Sequence, residues 1–221
     1  MSAIPLNDMT LDELRPIIAA ELPADAAFDG WNARALEGTA ARLGLDPAIA
    51  GLLFPGGAVE MIDAWFASID TAMLAALPAE TLSTMKIRDR ITGLVEARLA
   101  IIAPQREALR RAQAILAVPT NVKTALKLGW RAADKMWRAA GDTATDYNHY
   151  SKRAILGSVY GATLLFFVND TSDDWAHTRA FLGRRIEGIM KFEKAKARFT
   201  KPSSGGFNMT SFLGRLRYPA S

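Results

Sequence analysis

Residues 136–170 read MWRAAGDTATDYNHYSKRAILGSVYGATLLFFVND, an acidic and aromatic turn that runs into the most apolar long segment of the chain. Trp137 closes a helical pattern and Gly141 supplies its C-terminal stop. Asp142, Thr145 and Asp146 then offer side-chain oxygens to cap the next helix. That helix is expected over 146–168, with Tyr147, Tyr150, Lys152 and Arg153 on wet first turns. Beyond them come Ile155, Leu156, Val159, Tyr160, Leu164, Leu165, Phe166, Phe167 and Val168. At 1.5 Å per residue it reaches roughly 35 Å, enough to cross a small domain. Its apolar part, bounded by Arg153 and Asn169-Asp170, is shorter than the ~20 residues that a bilayer span needs. A helix apolar nearly all round is a buried central helix. Gly157, Ser158, Gly161 and Ala162 let a neighbouring backbone approach or leave room for something else.

Working outward, every other segment also shows the helical period, and no strand-like alternation occurs, so the fold class is all-α. A capped amphipathic helix is expected over 10–22, then a short helix over 31–44, a turn at Gly44-Leu45-Asp46-Pro47 and the stretch AIAGLLF. Two short helices joined by a tight turn outline a helix-turn-helix. Longer helices are expected at 57–77, 84–102, 105–117 and 121–140, with a turn over 78–84. In the last of these, Val122, Leu126, Trp130, Ala133 and Trp137 point inward and Lys123, Lys127, Arg131, Lys135 and Arg138 outward. After the central helix, Asp170 to Asp174 cap a final helix that runs to about 199. TKPSSGGF reads as a linker, and in NMTSFLGRLRYPAS the residues Met209, Phe212, Leu213 and Leu216 share one helical face flanked by Arg215 and Arg217. This cationic amphipathic segment suits a membrane surface, although docking on its own fold or on a second copy is equally open. The organisation expected is a helix-turn-helix-like module at 1–55, a helical domain at 56–199, and a linker with an amphipathic helix at 200–221.

The chain has 221 residues, no cysteine and a net charge of +4. Disulfides and thiol chemistry are therefore excluded. Residues 1–60 carry three basic and nine acidic side chains, a net −6, which leaves +10 for the remainder. The acidic module argues against DNA binding, because phosphate contacts need cations. Its second helix offers Ala48, Ile49, Ala50, Gly51, Leu52, Leu53 and Phe54, with no polar side chain to read a base edge. His149 and His177 are the only imidazoles and lie on separate helices. No phosphate-binding glycine loop, GxSxG or HExxH occurs, so the chain reads as a non-enzyme without metal or cofactor. Asp142 and Asp146, spaced i, i+4, read as helix caps rather than a cation site. With no basic apolar start and no Arg-rich leader, the expected location is the cytoplasm, at the inner face of a bacterial membrane.

The combination of Gly141-Asp142, Asp146-Tyr147-Asn148 and Tyr150-x-x-Arg153-Ala154, followed by Asp173-Asp174-Trp175, resembles the accessory lipid-binding family of ubiquinone (coenzyme Q) biosynthesis, the ninth member of the Coq set. The similarity extends over residues 30–195. The resemblance implies a fold like that of TetR regulators, a homodimer, an apolar pocket for isoprenoid lipid and partnership with the di-iron demethoxyubiquinone hydroxylase. On this basis the pocket is expected among Met61, Trp65, Ile69, Ile91, Leu94, Val95, Leu126, Trp130, Ile155, Val159, Tyr160 and Leu164. The hydroxylase-facing surface of the family carries over to Met136, Asp146 and Tyr150. His149 departs from the family, whose eukaryotic members place Trp there. The function expected is thus a non-enzymatic carrier of isoprenoid intermediates. The alternative is a TetR-type transcriptional regulator that senses a hydrophobic ligand.

Overall fold

The computed structural model describes residues 5–143 and 147–200, the side chains of 47, 147, 148, 190 and 192–200 excepted. Its elements are helical throughout: α1 (Leu11–Asp29), α2 (Ala33–Arg42), α3 (Pro47–Leu53), α4 (Gly57–Ala76), α5 (Ala79–Ser83), α6 (Ile87–Ile102), α7 (Arg106–Leu116), α8 (Val122–Ala139), α9 (Tyr147–Phe167) and α10 (Ala176–Thr200), with short 3-10 turns between some of them. The chain divides into two compact units, residues 1–186 and 187–221. The amphipathic segment with Met209, Phe212, Leu213, Arg215, Leu216 and Arg217 lies outside the described residues.

Local chemistry explains most of the boundaries. At the start of α1, the Thr10 hydroxyl accepts from the Glu13 amide while the Glu13 carboxylate accepts from the Thr10 amide, a reciprocal cap. The helix continues to Asp29, past the end expected at residue 22. The proline signal at Pro23 is overridden because Leu22, Pro23 and Ala26 are all buried, and α1 packs against α2, α4 and α7. That packing offsets the hydrogen bond that a proline removes from a helix interior. Through α1, the N-terminal helices therefore pack directly on the longer helices of the first unit. The Trp31 indole donates to the Ala108 carbonyl at 3.0 Å and lies near Trp65, with ring centroids 5.2 Å apart. The turn expected over 78–84 contains α5, anchored by buried Leu82. Asp170 caps the start of α10 as expected: its carboxylate accepts from the amide and hydroxyl of both Ser172 and Thr178.

At the other end of the hairpin, the turn after Ala139 closes α8 in a full C-terminal motif. Gly141 adopts φ +91°, which a glycine tolerates. Its amide donates to the Arg138 carbonyl at 3.0 Å, and the Asp142 amide to that of Trp137 at 2.9 Å. Asp142 pairs with side chains of α9. Its carboxylate accepts from Lys152 Nζ at 2.7 Å and from Arg153 Nη1 at 3.0 Å, while Arg153 Nε donates to Asp134 at 2.6 Å. This corrects the expectation that Arg153 is wet, for it is 1% exposed, whereas Lys152 is half-buried. Two carboxylates, one from α8 and one from the turn after it, neutralise the guanidinium and allow its burial. The arrangement fastens the beginning of α9 to the end of α8.

Burial pushes the Asp142 and Asp134 carboxyls up, but hydrogen bonds from Lys152 and Arg153 on the first, and from Arg153 and Arg138 on the second, outweigh it and lower both. A carboxyl lowered on folding contributes stability that is complete above its unfolded value of about 3.9 and is lost as pH falls through the folded value. Arg153→Met is expected to lower unfolding stability at neutral pH by about 3 kcal/mol. It should also flatten the loss of stability below about pH 4. Urea titrations of both proteins across pH 2–7 measure the two effects together.

Candidate functional site

Helix α8 has two apolar faces. Leu128, Ala132, Ala133, Met136 and Trp137 are buried, but Val122, Leu126 and Trp130 are exposed, Leu126 by 70%. The inward orientation expected for these three is therefore corrected. The cause lies in α9, which meets α8 along a seam of small residues. A Cβ on Gly157 would stand 3.3 Å from the Gly129 carbonyl oxygen, so the two backbones touch there, whereas Cβ atoms on Gly129 and Gly161 would meet nothing within 4 Å. With only small side chains along the seam, the i, i+4 row at 122, 126 and 130 is left uncovered.

Two open apolar pockets flank this seam. One, of about 420 Å³, is lined by Val122, Ala125, Leu126, Gly129, Trp130, Ala154, Gly157, Ser158 and Gly161, with Arg153 at its end. The other, of about 250 Å³, is lined by Phe66, Gln113, Leu116, Ala117, Ala125, Leu128, Gly129, Tyr160, Gly161, Leu164 and Leu165. Ala125, Gly129 and Gly161 belong to both, so the pockets adjoin. Of the residues expected around a lipid, Leu126, Trp130, Tyr160 and Leu164 are here. Met61, Trp65, Ile69, Ile91, Leu94 and Val95 are instead buried in the closed core of α4 and α6. They fill one another's space, as large apolar side chains of facing helices do. Ile155 and Val159 are half-buried on α9 and line neither pocket.

The expected partner-facing residues are likewise divided. Tyr150 is 61% exposed, lies 6.1 Å from the Trp130 ring and meets His149 edge-on at 5.1 Å. Trp130 thus joins the first pocket to a surface aromatic cluster, a link that helical spacing alone missed because it placed Trp130 inside. Met136 is wholly buried, on the face of α8 turned away from solvent, and so is corrected from a surface position. Asp146 lies outside the described residues.

Behind the smaller pocket runs a line of charged groups. Arg131 on α8 pairs with Asp63 and lies 3.2 Å from Asp70, both on α4. Asp70 accepts from Arg98 Nη1 of α6 at 2.5 Å. The Arg98 guanidinium, fully buried, sits 4.9 Å from the centroid of the Tyr160 ring. The Arg98 guanidinium and the Tyr160 hydroxyl interact through charge and a side-chain hydrogen bond, which lowers the phenol against the larger effect of burial that raises it.

A family model described as COQ9 matches residues 122–193, which include both helices of the seam. The chain is 33% identical over 168 residues to the ubiquinone biosynthesis protein COQ9, mitochondrial, of Homo sapiens, a match covering 73% of this chain and 52% of that protein. The Rattus norvegicus protein of the same name matches at 33%, covering 73% and 54%. The chain spans about half the length of these curated relatives. Among solved structures it is similar to a TetR transcriptional regulator from Nitrosomonas europaea, with a TM-score of 0.63 and 26% identity over 80% of this chain and 97% of that one. The expectation of an all-α, TetR-like fold is met. The expected bacterial, cytoplasmic location does not stand, because the matched relatives are mitochondrial proteins.

The seam makes a prediction of opposite signs for two glycines of one helix. Gly157→Val drives a side chain against the Gly129 carbonyl and is expected to destabilise the protein by about 2 kcal/mol. Gly161→Ala meets open space and should be neutral or stabilising by up to about 1 kcal/mol through helix propensity. Chemical denaturation of the two variants beside the parent decides both.

Proposed function

We propose, on the premise that this chain carries a COQ9 domain and is a homologue of the mitochondrial COQ9 proteins, that it is a non-enzymatic accessory protein of ubiquinone biosynthesis which binds an isoprenoid intermediate and hands it to a hydroxylase. The observation that carries this reading is the pair of adjoining apolar pockets on either side of the α8–α9 seam, inside the segment that matches the family. A polyprenyl chain gains about 0.8 kcal/mol for each CH2 removed from water, and a groove floored by glycine presents carbon surface without obstructing the chain. The exposed row of Val122, Leu126 and Trp130 would be closed off by a second copy, in keeping with a homodimer. Trp130, His149 and Tyr150 form an aromatic patch of the kind that anchors a protein partner, here assigned to the demethoxyubiquinone hydroxylase. The cationic segment at 209–217 is assigned to contact with an anionic lipid surface.

The solved neighbour is a transcriptional regulator, and that reading is the second one. In this chain, however, the exposed positions of α3 among the described side chains are Ala48, Gly51 and Leu52, which supply no hydrogen bond to a base edge and no charge to a phosphate.

Native mass spectrometry with lipid extraction, on protein purified from a ubiquinone-producing host, tests the carrier reading. A dimer that brings an isoprenoid quinone or precursor with it is the expected result, and a lipid-free protein would overturn it. Leu164→Trp, which fills the smaller pocket, is expected to reduce the co-purified lipid at least tenfold, a change of about 1.4 kcal/mol in binding.

A further inference from the structure

One polar side chain of α7 differs from the others. Arg106 donates to the Asp170 carbonyl, Arg110 to Asn169 and the Val168 carbonyl, and Arg111 to Glu107. The amide of Gln113 pairs with nothing among the described residues. Its surroundings are apolar: Ala112 is buried, while Leu116 and Ala117, three and four residues on, line the smaller pocket together with Gln113 itself. Of the other residues that line this pocket, Tyr160 alone has a polar side chain, and its hydroxyl is buried against Arg98. Half-buried Gln113 is therefore the polar side chain that a ligand in the pocket can reach. Apolar pockets commonly fix the orientation of what they bind with a few such groups.

We propose that Gln113 is the polar recognition residue of the smaller pocket, and that the ligand is an oxygen-bearing ring on a prenyl tail, bound with the ring at Gln113. The proposal rests on the carrier reading and adds which pocket takes the ring and which side chain reads it. The residue type decides the chemistry. A carboxamide holds both donors and an acceptor, so it meets a ring carbonyl with its NH2 group and a ring hydroxyl with its C=O. A charged side chain offers one or the other. Quinone and hydroquinone forms of one ring are thereby held alike, and a ring without oxygen is held less well. Size agrees with this placement. An apolar cavity of about 150 Å³ accepts benzene, so about 250 Å³ seats one substituted ring. The tail continues into the adjoining pocket of about 420 Å³ across Gly129 and Gly161, where a Cβ would meet nothing within 4 Å.

The test is native mass spectrometry of the full chain with three probes that share a tail of three isoprene units and end in a benzoquinone, a hydroquinone kept under argon, or a benzene ring. The parent protein is expected to hold the two oxygenated probes within about twofold of each other and to prefer each over the prenylbenzene by about fivefold, the scale of one net hydrogen bond. Gln113→Leu should bind all three alike, at the parent's affinity for the prenylbenzene. Gln113→Glu presents an ionised carboxylate, which accepts but does not donate; it should keep the hydroquinone and lose the quinone. Because the amide has no partner without ligand, both variants should melt within about 4 °C of the parent. A preference retained in Gln113→Leu overturns the assignment, as does loss of the prenylbenzene in that variant, a larger fall in its Tm, or an unchanged order of probes in Gln113→Glu. Equal binding of the three probes by the parent overturns it too and leaves the carrier reading standing. Binding of none overturns both.

Discussion

A positive charge in the middle of an apolar bundle is the constraint on which the arrangement of α4, α6, α8 and α9 depends. Arg98 is fully buried, and a buried charge is tolerated only where a counter-charge meets it. Asp70 of α4 supplies the counter-charge, and Asp70 in turn is approached by Arg131 of α8, which reaches Asp63 near the surface. Three helices are thereby placed in register by charge, and the fourth, α9, contributes the Tyr160 ring over the guanidinium. Sliding any one helix by a turn would leave an ion unpaired in carbon surroundings. Packing alone would penalise such a slip far less, since apolar side chains of similar volume exchange places at modest cost.

The second buried cation, Arg153, solves a different problem. Its partners Asp134 and Asp142 come from α8 and the turn after it, so the pair fixes the mouth of a helical hairpin rather than its middle. Further along the hairpin, contact between helices is reduced to backbone against backbone at Gly129 and Gly157. The seam is narrow because its residues are glycine, alanine and serine, and the space on each side of it is open for the same reason. A close approach and a pocket thus share one origin in the sequence.

Much of this was legible in the residues. The all-α class came from periodicity, the terminator at Gly141 from its place after an apolar run, and the Thr10 and Asp170 caps from polar residues just ahead of such runs. Burial of charge was not legible, because the partners of Arg98 and Arg153 lie 11 to 28 residues away and a lone Arg in a helix reads as solvated. The orientation of Leu126 and Trp130 was misread for a related reason. Helical spacing identifies an apolar face, but only the neighbour decides whether that face is covered, and here the neighbour offers glycine. The candidate site was therefore legible as a region, α8 and α9, and not as a list of lining residues: six large side chains from α4 and α6 belong to the core instead.

The fastening of α9 to α8 also bears on the order in which the chain assembles. Its hydrogen bonds join residues 10 to 19 positions apart, whereas the Trp31 bond that ties the N-terminal helices to α7 spans 77. Short loops close with less loss of entropy and sooner. Such closure favours early formation of the C-terminal hairpin, while α1, although it precedes α7 in the chain, waits for α7 before its packing is complete. The part of the protein that holds the pockets is in this sense the seed of the fold, an order that folding-rate changes at Gly157 and Trp31 would read out.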